Sequence, residues 1–323
     1  MNYLLFTLAI VGGIIGLIWS ADKFVLGAST TARNLGVSVL IIGLTVVSFG
    51  TSAPEIFTSA TAALRGAPEL AIGNVIGSNI ANIGVVLSIT VMICPIHIPV
   101  SLLKEELPVL MIVTLAAVYI FQDLTINWVD GLILLILLAL FVWFILKTKN
   151  ALKKEHAVEA EDIEDYIADI STNKALGLML LGLLVLLLSA NVLVYGATGI
   201  ARTLGVSELI IGLTIVAIGT SLPELAASAM GALRGHHDLA LGNVVGSNIL
   251  NLLLVLPVPA FLAPLSIDPE VFWRDTLAML FITLILTLTV FIKIRTRQKL
   301  GRAIGAVLLL LYLAYTGLLV AMS

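Results

Sequence analysis

Two six-residue segments, Gly50-Thr51-Ser52-Ala53-Pro54-Glu55 and Gly219-Thr220-Ser221-Leu222-Pro223-Glu224, stand 169 positions apart, each inside a long apolar run. A carboxylate in such a run costs about 3 kcal/mol or more to place in hydrocarbon, so it ordinarily marks an ion path or a proton relay. The plain alternative is a neutral carboxyl used for helix packing; an equivalent acid in each segment argues for a shared task instead. Pro54 and Pro223 each remove a backbone donor and displace the carbonyl four residues earlier, those of Gly50 and Gly219. Thr51, Ser52, Thr220 and Ser221 add hydroxyl oxygens beside the expected break. Carboxylate, carbonyl and hydroxyl oxygens together form the donor set of a hard cation. For a Ser or Thr elsewhere in a span, bonding back to its own helix is the ordinary reading, and it is expected for Thr45 and Thr214.

A second pair of segments follows the first: Gly73-Asn74-x-x-Gly77-Ser78-Asn79-x-x-Asn82 and Gly242-Asn243-x-x-Gly246-Ser247-Asn248-x-x-Asn251. The glycines, four apart, are read as close helix packing. Asn74, Ser78 and Asn82 repeat every four residues and fall on one helix face, as do Asn243, Ser247 and Asn251. These amide and hydroxyl stripes are expected to line the cation site opposite the two Glu residues. Asn79 and Asn248 lie off the stripes and are expected to bond a neighbouring helix or the broken backbone.

The elements that must position these residues are membrane helices. Of 323 residues 60% are hydrophobic and 11% charged, with a mean hydropathy of +1.14, whereas a soluble domain carries roughly 25% charged residues. A net charge of −3 gives no electrostatic footprint for nucleic acid, and the single cysteine, Cys94, excludes an internal disulfide framework. The first residues have neither a basic region nor a cleavage site and read as a retained span. Apolar runs of about 20 residues predict ten spans, near 2–20, 37–63, 70–95, 106–122, 127–146, 175–198, 206–232, 238–262, 274–292 and 302–321. Residues 43–82 match residues 212–251 at 25 of 40 positions without a gap, shared Gly, Pro, Asn and Glu included. With five spans per repeat, an odd number, the second repeat must enter the membrane inverted. The predicted fold is an all-α integral membrane protein of ten helices in two inverted five-helix repeats, with helices 2 and 7 broken at the midplane. The repeats cover 1–146 and 174–323, and a charged linker, 147–173, joins them.

With the N-terminus outside, 14 of the 17 basic residues fall on the cytoplasmic side, and only Arg65, Arg202 and Arg274 fall outside. The positive-inside rule selects that orientation, with both termini outside and the linker cytoplasmic. Trp19, Trp128, Trp143 and Trp273 near span ends read as interfacial anchors. Arg65 and Arg234 read as snorkelling side chains in turns, and the four histidines show no ligand spacing.

The paired GTSAPE/GTSLPE and GNVIGSNIAN/GNVVGSNILN segments resemble the alpha-repeats of the calcium/cation antiporter superfamily, in particular compact prokaryotic sodium/calcium exchangers. The resemblance implies that Glu55 and Glu224 bind calcium together, helped by the backbone carbonyls of Thr51 and Thr220. It implies sodium sites built from the same acids with Ser52, Ser78, Ser221, Ser247 and the carbonyls of Ser48 and Ala217. Asn82 is then expected to hydrogen-bond within the site. At Asn251 some relatives, the potassium-dependent branch included, carry Asp; with Asn in both repeats two formal charges remain, which argues against potassium co-transport. The implied activity is calcium/sodium antiport in the plasma membrane by alternating access, with spans 1 and 6 sliding as a pair on Gly12, Gly13, Gly16, Gly177 and Gly182. The ions are substrates, no cofactor is implied, and no oligomer is required. Proton/calcium exchange on the same scaffold remains open, other divalent cations included, and the hydroxyl-rich sodium positions favour sodium. A hydrolase reading would need His or Asp beside the two Glu residues within the spans, and a channel fits broken inverted repeats less well.

Overall fold

The computed structural model describes residues 2–152, 170–206, 215 and 217–322. The linker's charged residues between 153 and 169, and the start of span 7 with Thr214, lie outside the described residues.

The described residues fall into ten helical spans. Span 1 is Asn2–Leu35, and span 2 is Val39–Thr51 followed by Ala53–Leu64, bent by 42° at the break. Span 3 is Pro68–Ile93, span 4 runs through Leu102–Glu106 and Leu107–Ile120, and span 5 is Trp128–Leu152. Span 6 is Thr172–Thr203, and span 7 is described over Ala217–Thr220 and Leu222–Leu233. Span 8 is His237–Leu262, span 9 Val271–Arg295 and span 10 Arg302–Met322. Thr125–Ile126 and Leu265–Ser266 form a two-residue antiparallel pairing that ties the span 4–5 turn to the span 8–9 turn.

Burial sorts the spans by task. In their most apolar windows spans 3 and 8 are 78% and 83% buried, against 22% and 28% for spans 1 and 6. The polar stripes of spans 3 and 8 therefore lie inside the bundle. Large side chains such as Leu4, Phe57, Leu180 and Trp273 are exposed along the outer spans, the surface that a hydrocarbon environment selects. The apolar interior divides in two. One cluster joins spans 3, 4, 5, 8, 9 and 10 with Leu40, Leu44, Ala63 and Ala232 of spans 2 and 7, and a smaller one joins spans 1 and 6 to Ile42, Val47, Ala227 and Leu239.

Spans 1 and 6 are longer than the sequence reading placed them, at 34 and 32 residues. Segmentation stopped span 1 at Asp22 and Lys23, but the helix carries both charges on a partly exposed flank. At about 1.5 Å per residue each reaches roughly 50 Å, well beyond a hydrocarbon core of about 30 Å. The two spans pack on each other along their length, and glycine permits the approach. A Cβ on Gly182 would lie 2.5 Å from the Phe24 backbone nitrogen, and one on Gly13 would lie 2.7 Å from the Leu193 Cβ. Gly12 and Gly177 take no part in this contact among the described residues.

Candidate functional site

The break in span 2 falls at Ser52, whose φ of −81° and ψ of 6° leave the helical region; Ser221 repeats it at −87° and 4°. Pro54 and Pro223 then sit in the first turn of the following half-helix, where a missing N–H costs nothing. Glu55 and Glu224 occupy the same turn, close to the positive end of the half-helix dipole. Local sequence thus fixes each acid at the head of a short helix in the middle of the protein.

Both carboxylates are 1% exposed, and they lie near enough to repel each other. Each is supported from the opposite repeat. Ser52 Oγ donates to Glu224 Oε1 at 3.3 Å, and the Thr220 hydroxyl reaches Glu55. Thr51 is near Glu224, and its hydroxyl donates to Asn243 Oδ1 at 3.2 Å.

Spans 2, 3, 7 and 8 carry buried oxygens without a hydrogen-bond partner among the described residues, among them Glu55 Oε2, Glu224 Oε2, Asn82 Oδ1, Asn251 Oδ1, Ser221 Oγ and Ser247 Oγ. An unpartnered buried oxygen costs about 1–3 kcal/mol, so six of them drawn from spans 2, 3, 7 and 8 point to a ligand that accepts oxygen donors. Asn82 and Asn251 each open a short π-helical stretch, Asn82–Leu87 and Asn251–Val255. Such turns are frequent at functional sites, and each begins at the residue that ends its polar stripe. No group of three or more His, Cys, Asp and Glu side chains gathers among the described residues. The unpartnered oxygens are hard donors and include two carboxylates, a set suited to sodium or calcium.

The remaining expected site residues fall as follows. Thr51, Ser52, Ser48 and Ser78 are buried beside the break and the stripe. The Ser48 carbonyl accepts the Ser52 N–H at 3.0 Å, while its hydroxyl donates to Leu44 O. Ala217 opens the described part of span 7.

Three expectations about the asparagines change. Asn74 and Asn243 do not line the site but brace it. Asn74 Nδ2 donates to the Glu55 carbonyl at 3.1 Å and to Ser59 Oγ at 2.8 Å, and Asn243 Nδ2 donates to the Glu224 carbonyl and Ser228 Oγ at 3.2 and 2.9 Å. An amide that satisfies the main chain of a broken helix is more useful there than one facing an ion. Ser59 and Ser228 escaped the sequence reading, although both stand four residues after their Glu. Asn79 donates to Val75 O of its own helix at 2.9 Å, while Asn248 crosses to the Asn79 carbonyl at 3.4 Å as expected.

The close packing expected of Gly242 and Gly246 is present. A Cβ on Gly246 would lie 2.6 Å from Leu44 O, and one on Gly242 would lie 2.8 Å from Leu40 O. The equivalent partners of Gly73 and Gly77, Leu209 and Leu213, lie outside the described residues. Thr45 bonds back to Ile41 O as expected. Arg234 does more than snorkel: it pairs with Asp22 of span 1. Two further acids, Glu106 and Asp275, are buried at positions 169 apart at the heads of spans 4 and 9. Asp275 is held by Arg274 and accepts from the Tyr315 hydroxyl at 2.9 Å.

Comparison with known proteins places this geometry. The chain is 42% identical over 313 residues to the "Putative antiporter CaxA" of Alkalimonas amylolytica, covering 97% of this chain and 98% of that one. It is 30% identical to the "Sodium/calcium exchanger MaX1" of Methanosarcina acetivorans, covering 98% and 97%. A solved structure of the sodium-calcium exchanger NCX_Mj, soaked with Na+ and Sr2+, superposes with a TM-score of 0.81 at 35% identity, covering 96% of this chain and 97% of that one. The sequence model of the family described as "Sodium/calcium exchanger protein" matches residues 5–147 and 174–321. With its ten helices, two broken repeats and paired carboxylates, this chain is a member of the sodium/calcium exchanger family, a multi-pass membrane antiporter of calcium-type cations.

Proposed function

We propose that the protein exchanges calcium for sodium at one site shared by the two repeats. The observation that carries this reading is the set of six unpartnered buried oxygens on spans 2, 3, 7 and 8, one from each of Glu55 and Glu224 among them. Two carboxylates neutralise one divalent ion, and Asn251 adds an oxygen without a third charge. Glu55, Glu224 and the carbonyls of Thr51 and Thr220 hold calcium. The same acids with Ser52, Ser78, Ser221, Ser247, Asn82, Asn251 and the carbonyls of Ser48 and Ala217 hold sodium. Calcium and sodium therefore compete.

Repulsion between the two acids in low dielectric disfavours an empty, doubly ionised site. A cation relieves that repulsion, so the loaded protein changes conformation more easily than the empty one, which is the coupling an antiporter needs. The moving part is the pair of spans 1 and 6, which meets spans 2, 7 and 8 through a small apolar cluster separate from that of the larger bundle. Its orientation follows the basic residues, with both termini outside the plasma membrane and 147–173 cytoplasmic; residues 1–146 and 174–323 form the two functional halves.

The test is calcium uptake into proteoliposomes under outward sodium, proton or potassium gradients. Uptake driven by sodium, indifferent to potassium, and lost in Glu55→Gln and Glu224→Gln is the expected result. Uptake driven only by protons keeps the site and changes the counter-ion. Absence of gradient-driven calcium uptake refutes the substrate.

A further inference from the structure

Far from the two carboxylates, at the end of span 9, lies a cavity of about 240 Å³. Its polar lining is His97, Lys293, Arg297 and Gln298, and its apolar lining is Ile98, Val100 and Ile294. No carboxylate lines it, and neither Lys293 nor Arg297 makes an ion pair among the described residues. The His97 ring meets the His237 ring edge-to-face at 5.6 Å, and Lys299 lies within electrostatic reach of His237. Like charges brought together without a counter-charge repel one another, so the arrangement favours an anion.

The backbone holds these groups in place. Arg297 has a φ of 53°, a left-handed conformation that a non-glycine residue enters only at a cost. Its turn is closed by Arg297 N–H to Ile294 O at 3.1 Å and Gln298 N–H to Lys293 O at 2.9 Å. Lys293 Nζ donates to Gln298 Oε1 at 2.6 Å, which fixes the ammonium without neutralising it. On the other side, paired hydrogen bonds between Ile96 and Leu300 at 2.9 Å clamp the segment bearing His97 against the turn. Glycine would take the left-handed position freely, so Arg297 can be replaced there without straining the turn.

We infer that this cavity is a binding site for a phosphate-bearing anion. An ammonium and a guanidinium held a turn apart suit phosphate oxygens. The apolar wall of Ile98, Val100 and Ile294 runs beside exposed Ile93 and Ile292 on the lipid-facing surface, so an anionic phospholipid can seat its headgroup while its chains lie along the spans. Basic pockets between spans at a membrane surface bind lipid headgroups in this way.

The experiment is native mass spectrometry of the purified full chain in neutral detergent, offered phosphatidylglycerol and phosphatidylcholine in equal amounts, and separately inorganic phosphate. Compared with wild type, the Lys293→Gln/Arg297→Gly variant should lose roughly 25-fold in phosphatidylglycerol retention, at about fivefold for each surface charge removed. Arg297→Gly alone relaxes the turn, so its thermal midpoint should not fall, which separates lost binding from lost folding. Preference for phosphatidylglycerol that vanishes in the variants supports a lipid headgroup as the source. Phosphate binding without lipid preference, equally lost in the variants, supports a soluble ion at the same site. Equal retention of both lipids and of phosphate by wild type and the double variant overturns the inference.

Discussion

Replacing Glu55 with Gln removes one of the two charges in the site while keeping its shape. A divalent ion bound there would face one carboxylate in place of two, deep in the protein. Breaking a buried charge pair costs about 3–5 kcal/mol, or roughly two to four powers of ten in dissociation constant at about 1.4 kcal/mol per tenfold. Folding should survive. Gln keeps the size of the side chain, and the repulsion from Glu224 disappears. The assay is thermal unfolding in detergent with and without calcium, followed by radiolabelled calcium uptake. At a hundredfold excess over the wild-type dissociation constant calcium stabilises the folded state by about 2.7 kcal/mol. After a hundredfold or greater loss of affinity the same concentration contributes less than about 0.4 kcal/mol. The variant should therefore unfold at the wild-type temperature or above in calcium-free buffer, and lose nearly all of the calcium-dependent shift. An undiminished shift, or uptake at the wild-type rate, refutes the two-carboxylate site.

Other outcomes follow from the same geometry. Asn243→Leu leaves the Glu224 carbonyl and Ser228 without their amide donor; a stability loss of about 1–3 kcal/mol, read by thermal unfolding, should accompany reduced uptake. Gly246→Ala places a methyl group 2.6 Å from Leu44 O, so span 8 must move off span 2, and calcium affinity should fall although no oxygen is removed. Asn251→Asp adds a third charge, and competition binding should show calcium gaining on sodium by at least tenfold. Asp22→Asn breaks a half-exposed pair with Arg234 and should cost no more than about 1 kcal/mol, checked by the unfolding midpoint.

The sequence alone carried the helical class, the inverted repeat and the two acids, because burying a charge or breaking a helix in lipid demands residue types that cannot be mistaken. It did not carry the ends of spans 1 and 6, since Asp22 and Lys23 look like a boundary until their flank is seen to be partly exposed. Nor did it separate lining from bracing. Asn74 and Asn82 share one face of a regular helix, and only coordinates reveal which amide turns back to the Glu55 carbonyl. Ser59 and Ser228 were legible as a repeated position four residues beyond each acid, a signal masked by the abundance of serine in tightly packed spans.

The exchange of support between repeats has a consequence for biosynthesis. Glu55 leaves the ribosome well over a hundred residues before Thr220, the hydroxyl that reaches it from the other repeat. Until spans 7 and 8 arrive, span 2 must carry its acid through the insertion machinery without that partner, at about 3 kcal/mol on insertion scales. Span 3 arrives at once and supplies Asn74 to the Glu55 carbonyl, which steadies the backbone but leaves the carboxylate to wait. A nascent chain halted after span 5 would therefore be a target for membrane quality control, and its lifetime should lengthen when Glu55 is replaced by Gln.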